Sequence, residues 1–120
     1  MEKWIYNKNG NAVAVEAGGG IWDSNGIFRA WIDGVNLFNR KGIQIGWVEG
    51  GVYYDKENTV LGFTRGHTFP IPNDPGVCGE YGSLGVGKVF QKPTVVNRIS
   101  NRPAYTGDWS SILLEDCLKQ

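Results

Sequence analysis

The 120-residue chain has little cysteine, almost no histidine and no net charge. Its two cysteines, Cys78 and Cys117, and its single histidine, His67, are too few for a structural zinc site, which takes four Cys or His ligands. Two thiols and no other cysteine fit a reduced, cytoplasmic protein; whether they pair is left open. Twelve basic residues balance twelve acidic ones. That excludes the basic excess of a general nucleic-acid or anionic-membrane surface. Long apolar runs are also missing, and none approaches the ~20 residues of a membrane span. The amino terminus "MEKWIYNKNG" lacks an apolar h-region, so no secretory signal is expected.

Glycine is abundant instead. Eighteen glycines lie far above the usual ~7% share, and most recur at a fixed spacing. The stretches "IYNKNGNAVAVEAGGG" (5–20), "IWDSNGIFRAWIDGVN" (21–36), "LFNRKGIQIGWVEGGV" (37–52) and "YYDKENTVLGFTRGHT" (53–68) align without a gap. The aromatic column is Tyr6, Trp22, Phe38, Tyr54. The Asn/Asp column is Asn7, Asp23, Asn39, Asp55. A small column, Ala14, Ala30, Gly46, Gly62, precedes Val15, Trp31, Trp47, Phe63.

Each unit holds two turn signals. "NKNG", "DSNG", "NRKG" and "DKEN" place Asn or Asp first, where the side chain accepts a backbone N–H two residues on, and Gly fourth, where φ is positive. Asn58 replaces Gly in the fourth copy and is the next most tolerant residue there. The second signal, "AG", "DG", "EG" or "RG", suits a two-residue hairpin turn. The intervening segments have strand length. Each unit is therefore a β-hairpin, and four of them make an eight-stranded antiparallel meander.

Alternate positions of the second strands are Asn11, Val13, Val15; Ile27, Arg29, Trp31; Ile43, Ile45, Trp47; and Thr59, Leu61, Phe63. Nine of these twelve are apolar, so this face is expected to be buried, with the small column on the other face. Lone hairpins are marginal in water, and closure removes aggregation-prone edges. The expected fold is all-β: a pseudo-four-fold closed meander over 1–66, with an open twisted meander as the alternative. Residues 67–120 break the period and are expected to cover an end or edge of the same single domain. In that segment "KPTVV" suggests another short strand. "DWSSILLEDCLK" reads as a short helix capped by Asp108 or Ser110, with Trp109, Ile112, Leu113 and Cys117 in one apolar stripe.

A ring of four short hairpins, each with an aromatic-Asn/Asp-x-x-Gly turn, resembles the small bacterial domain called the four-fold β-flower. The resemblance covers residues 1–66 most clearly. It implies a fold and carries over no activity and no catalytic residue. "GWVEGGVYYDKENTVLGF" (46–63) is similar in flavour to choline- and cell-wall-binding repeats, although those repeats run nearer twenty residues.

Trp22, Trp31, Trp47, Tyr54 and Phe38 are the candidate ligand-binding residues, because exposed rings stack on sugars or quaternary ammonium groups; the competing reading makes them core. If a column faces the axis, similar side chains line a central pocket. The Asn7, Asp23, Asn39, Asp55 ring offers oxygen ligands of the kind Ca²⁺ uses, set against simple turn capping. His67 lies eleven residues before Cys78, but nothing nearby resembles a nucleophile motif. "GSLGVGK" (82–88) lacks the spacing and the hydroxyl residue of a phosphate loop. No cofactor, metal or catalytic set is expected. The expected function is a non-catalytic binding or interaction module with a protein partner or a second copy of itself. The alternative is a carbohydrate or cell-wall binding module.

Overall fold

The computed structural model describes residues 2–77 and 90–119. Eight strands follow in order: β1 (Lys3–Tyr6), β2 (Ala12–Ala17), β3 (Gly20–Asp23), β4 (Phe28–Asp33), β5 (Asn36–Asn39), β6 (Gln44–Glu49), β7 (Val52–Asp55) and β8 (Val60–Thr64). Each pairs antiparallel with its neighbours, and β8 returns to β1 through Ile5 opposite Thr64 and Tyr6 opposite Phe63. The sheet is a closed barrel, so no edge is left unpaired.

The first turn of each repeat is held by its Asn/Asp side chain. Oδ1 of Asn7, Asp23, Asn39 and Asp55 each accepts two backbone N–H groups, two and four residues on, at 2.9 to 3.1 Å. The fourth turn residue is left-handed in every copy, including Asn58 at φ 63°. All four turns therefore emerge at one end of the barrel, with the glycine hairpins at the other.

Packing at the axis follows from strand pairing. Ile5 faces Ala14, Ile21 faces Ala30, Leu37 faces Gly46 and Tyr53 faces Gly62. Each large residue on a short strand meets a small one on the long strand, and the partner shrinks to Gly opposite Leu and Tyr. These side chains form one buried cluster. The axial column is thus a filled interior rather than a pocket lined by similar side chains.

The small column has an inward role that strict alternation misplaces. A register shift in every hairpin makes Val13, Arg29, Ile45 and Leu61 extra residues, each a β-bulge. Ile45 and Leu61 join the inner cluster and Val13 packs against it, whereas Trp47 and Phe63 belong to outer clusters. The expected single buried face of β2, β4, β6 and β8 is therefore split between the two sides of the barrel. Ile27 and Ile43, also placed on that face, are 43% and 38% exposed.

The C-terminal segment covers both the side and the end. Two expectations for it need correction. "KPTVV" forms no strand; instead Asn97 makes one isolated parallel bridge to Ile43, because the closed barrel has no edge to extend. The helix α1 is shorter, Leu114–Leu118, and has no side-chain cap. Residues 108 and 110 are held extended instead, with Val60 N–H donating to Asp108 O and Ser110 N–H to Val60 O. Leu114, Cys117 and Leu118 enter the inner cluster and plug the turn end, where Asn7 Nδ2 donates to Glu115 at 3.2 Å. Trp109 lies outside that stripe, against the barrel wall.

Two glycines separate crowding from conformation. A Cβ on Gly46 would lie 1.9 Å from the Tyr54 carbonyl oxygen, while one on Gly34, at φ +64°, meets open space. Gly46→Ala should destabilise by about 3 kcal/mol, and Gly34→Val by somewhat more than about 1 kcal/mol through backbone strain alone. Urea denaturation measures both. An unchanged midpoint for Gly46→Ala would remove the axial crowding argument, and one for Gly34→Val the turn assignment.

Candidate functional site

The aromatic columns lie on the outside of the barrel in directly opposed cross-strand pairs. Trp22 faces Val15, Phe38 faces Trp31, Tyr54 faces Trp47 and Tyr6 faces Phe63. Trp31 stacks on Phe38 at 4.6 Å between centroids, and Tyr6 on Phe63 at 5.6 Å. The five candidate rings are Trp22, Trp31, Trp47, Tyr54 and Phe38, and none is more than 6% exposed.

A strap formed by residues 90–109 covers them in chain order. Phe90 packs edge-on against Trp22. Lys92 lies over Trp31 and Arg98 over Phe38. The Arg102 guanidinium sits 5.1 Å from both the Trp47 and Tyr54 rings, and Tyr105 meets Tyr54 edge-on. Trp109 closes the circuit on Phe63. Cations over ring faces suit the negative π surface. Arg102 also pairs with Glu49 and donates to Asn58 Oδ1, while Asn58 Nδ2 donates to Pro103 O at 2.9 Å. The one repeat with Asn in place of Gly thus uses that side chain to hold the strap.

At the turn end, a cleft of about 590 Å³ opens between the approach to α1 and the β7–β8 turn. Its walls include Ile43, Ile45, Trp109 and Ile112, and Asp55, Thr59 and Ser110 line its base. Asp55 and Ser110 are 8% and 2% exposed. Asp55 Oδ1 accepts the turn N–H groups of Glu57 and Thr59, and Oδ2 accepts the hydroxyls of Thr59 and Ser110, both at 2.6 Å. Cys117 also lines the cleft; burial, with the nearby Asp55 charge, pushes its thiol up to about 11.

The other Asn/Asp positions are resolved differently. Burial raises the Asp23 carboxyl, but N–H donation by Ile27, Arg29 and Asn25 and the Arg29 charge outweigh it, leaving the group below its ordinary value. Arg29 Nε lies 2.9 Å from Asp23 Oδ2. The Asn/Asp ring is therefore occupied with turn capping, and among the described residues no group of His, Cys, Asp and Glu is placed to hold a metal. His67 Nδ1 donates locally to Phe69 O at 2.8 Å, and the ring meets Phe63 edge-on. Cys78 and the "GSLGVGK" stretch lie outside the described residues. No described helix is long and apolar enough to cross a membrane. Sequence reasoning missed the cleft residues Thr59, Ser110 and Ile112, because nothing local marks a hydroxyl that will meet Asp55 from 55 positions away.

Four hairpins closed into one ring, with a side strap and an end plug, define a β-repeat barrel of pseudo-four-fold symmetry. The chain belongs to the family described as the 4-fold beta flower protein, whose family model matches residues 3–118. No curated protein and no solved structure matches it.

Two predictions concern the cover. Arg102→Ala removes both ring contacts and the Glu49 pair, and should cost about 1–2 kcal/mol with a red shift of tryptophan emission. No change in either would show that the strap is held by other contacts. For Cys117, a thiol titrating at about 11 is ionised at roughly one part in a thousand at pH 8. Alkylation, read by peptide-resolved mass spectrometry on the native protein, should rise about tenfold per pH unit toward that value. Rapid labelling of native Cys117 at pH 8 would contradict it.

Proposed function

We propose that the chain is a non-catalytic binding or interaction domain whose binding surface is the cleft at the turn end. The observation that carries this reading is the cleft itself. Its volume of about 590 Å³ falls within the range of small-ligand pockets, which run to roughly 300–1,000 Å³. It combines apolar walls with a few convergent polar groups, and it lies where the strap gives way to α1. The nearest wall residues, Ile43 and Ile112, are 38% and 39% exposed.

A saccharide reading draws on one observation. Tyr54, alone among the five candidate rings, borders a second cleft, of about 370 Å³, with Phe69 and Tyr105. Those last two rings are exposed enough to stack on a sugar. The faces of Trp31, Trp47 and Phe38 are already occupied by strap cations, which favours the turn-end cleft over the aromatic belt.

The test is amide and indole chemical-shift mapping during titration with glycans, small metabolites and candidate proteins. A ligand of the turn-end cleft shifts the Trp109 indole signal together with Ile43, Ser110 and Ile112. A glycan that moves Phe69 and Tyr105 instead would transfer the function to the second cleft. Saturable binding that moves neither set would sink both readings.

A further inference from the structure

We infer that the turn-end cleft selects an organic cation, a primary ammonium carried on an apolar stem. The inference deepens the reading of that cleft as the binding surface and rests on it. Three features of the cleft lead to it.

The first is the direction of the hydrogen bonds at its base. A hydroxyl has one proton to give. Thr59 Oγ1 and Ser110 Oγ both give theirs to Asp55 Oδ2 at 2.6 Å. Asp55 itself only accepts. With four donors already on Asp55 and Ile112 N–H on Ser110 Oγ, what the base still offers is the carboxylate's negative charge and the remaining hydroxyl lone pairs of Thr59 and Ser110, which suit a ligand bringing its own N–H groups. A carboxylate, phosphate or carbonyl would find no free donor on Asp55, Thr59 or Ser110.

The second feature is an unbalanced charge. Asp23 and Asp55 occupy the same repeat position, and Asp23 has Arg29 as its counter-ion. Asp55 is buried where Asp23 is only half-buried, yet among the described residues it is in no ion pair. The residue equivalent to Arg29 in its repeat is Leu61, which points into the barrel core. A carboxylate set in a partly desolvated cleft is attracted to an arriving cation more strongly than one in open water. Glu57 and Asp108, exposed at the mouth, add to the same sign, against Lys56 in the lining and Lys8, whose Nζ donates to Ser110 O at 3.4 Å.

The third feature is the walls. Ile43, Ile45, Ile112 and Trp109 give an apolar path from the exposed mouth to the carboxylate. Such a path does nothing for a hydrated metal ion or for bare ammonium and suits an alkyl or aryl stem.

The experiment compares hexylammonium, hexanol and hexanoate, which share a stem, together with ammonium chloride and a lysine-bearing peptide, by the Trp109 indole shift and the Ile43, Ile45 and Ile112 methyl shifts. The protein is the full chain and its Asp55→Asn variant. Asn7 and Asn39 already make this turn in this chain, so the variant keeps the turn and loses the charge. We expect saturable binding of hexylammonium, at least tenfold weaker binding of hexanol and hexanoate, no response to ammonium chloride, and at least tenfold weaker hexylammonium binding by Asp55→Asn, measured where its amide spectrum shows it folded. Equal binding of hexanol would overturn the charge selectivity and leave the cleft as a binding site. Equal response to ammonium chloride would overturn the role of the stem. Binding of a lysine-bearing peptide without hexylammonium would overturn the small-ligand assignment in favour of a protein partner. Silence toward every probe would overturn the inference, while the mapping described above still decides the cleft itself.

Discussion

Everything in this protein follows from how little room an eight-stranded ring of short strands leaves at its axis. Small barrels fill their interiors with side chains, alternating large and small. Here the alternation is enforced pair by pair, and where the large member is Leu37 or Tyr53 the small member is Gly. The margin is thin, since even a methyl on Gly46 would strike a backbone carbonyl. An axis that admits Ile beside Ala has no space for the aromatic columns. Those rings therefore go to the other face of the same strands.

That displacement creates the need for the rest of the chain. Outward pairs such as Trp31–Phe38 and Trp47–Tyr54 would leave a continuous apolar belt on the barrel wall, far larger than the patches that soluble proteins ordinarily expose. The strap answers with side chains matched to aromatic faces, Lys92, Arg98 and Arg102 over ring faces and Phe90, Tyr105 and Trp109 against ring edges. Its backbone is pinned at equivalent places in successive repeats. Gln44 N–H donates to Asn97 O, and Val60 N–H to Asp108 O, sixteen residues on. The strap then delivers α1 to the turn end, where Leu114, Cys117 and Leu118 complete the inner cluster. A symmetric ring thus acquires an asymmetric end, with Glu115 on one Asn, Ser110 on one Asp, and a cleft beside the second.

The parts legible in the sequence are those that depend on one residue's conformation. Asn, Asp and Gly at turn positions report their backbone needs directly, so the sixteen-residue hairpin and its two turns follow from the order of residues alone, and closure into a ring is the preferred expectation beside an open meander. Asn58 at positive φ follows in the same way. The bulges are not legible, because Val13, Ile45 and Leu61 are ordinary strand residues. Their place follows from the tilt of a small barrel, and each one reverses the inside–outside assignment of its neighbours. The strap is legible only as a break in periodicity. Its order around the barrel depends on contacts far apart in the chain, such as Phe90 with Trp22, Arg102 with Asn58 and Asp55 with Ser110. The helix starts later than its sequence suggests for a related reason. Local capping rules point to Asp108 and Ser110, but strand-like hydrogen bonds to Val60 take that backbone first.

The same constraint bears on where a ligand could bind. For the belt to stack on a sugar, the strap would have to leave Trp31, Phe38, Trp47 and Tyr54. Uncovering even half the surface of four rings exposes about 400 Å², a cost near 10 kcal/mol at about 25 cal/mol per Å². Micromolar binding supplies only about 8 kcal/mol. A ligand recruited by the belt would need more free energy to reach it than such an affinity provides. On the proposed reading, binding would be favoured where the cover is already incomplete, as in the cleft where Asp55 holds two hydroxyls and, among the described residues, no counter-ion. The aromatic rings that look most like a binding site in the sequence are buried under the strap, and in the proposed reading a turn residue that looks purely structural, Asp55, would supply the charge.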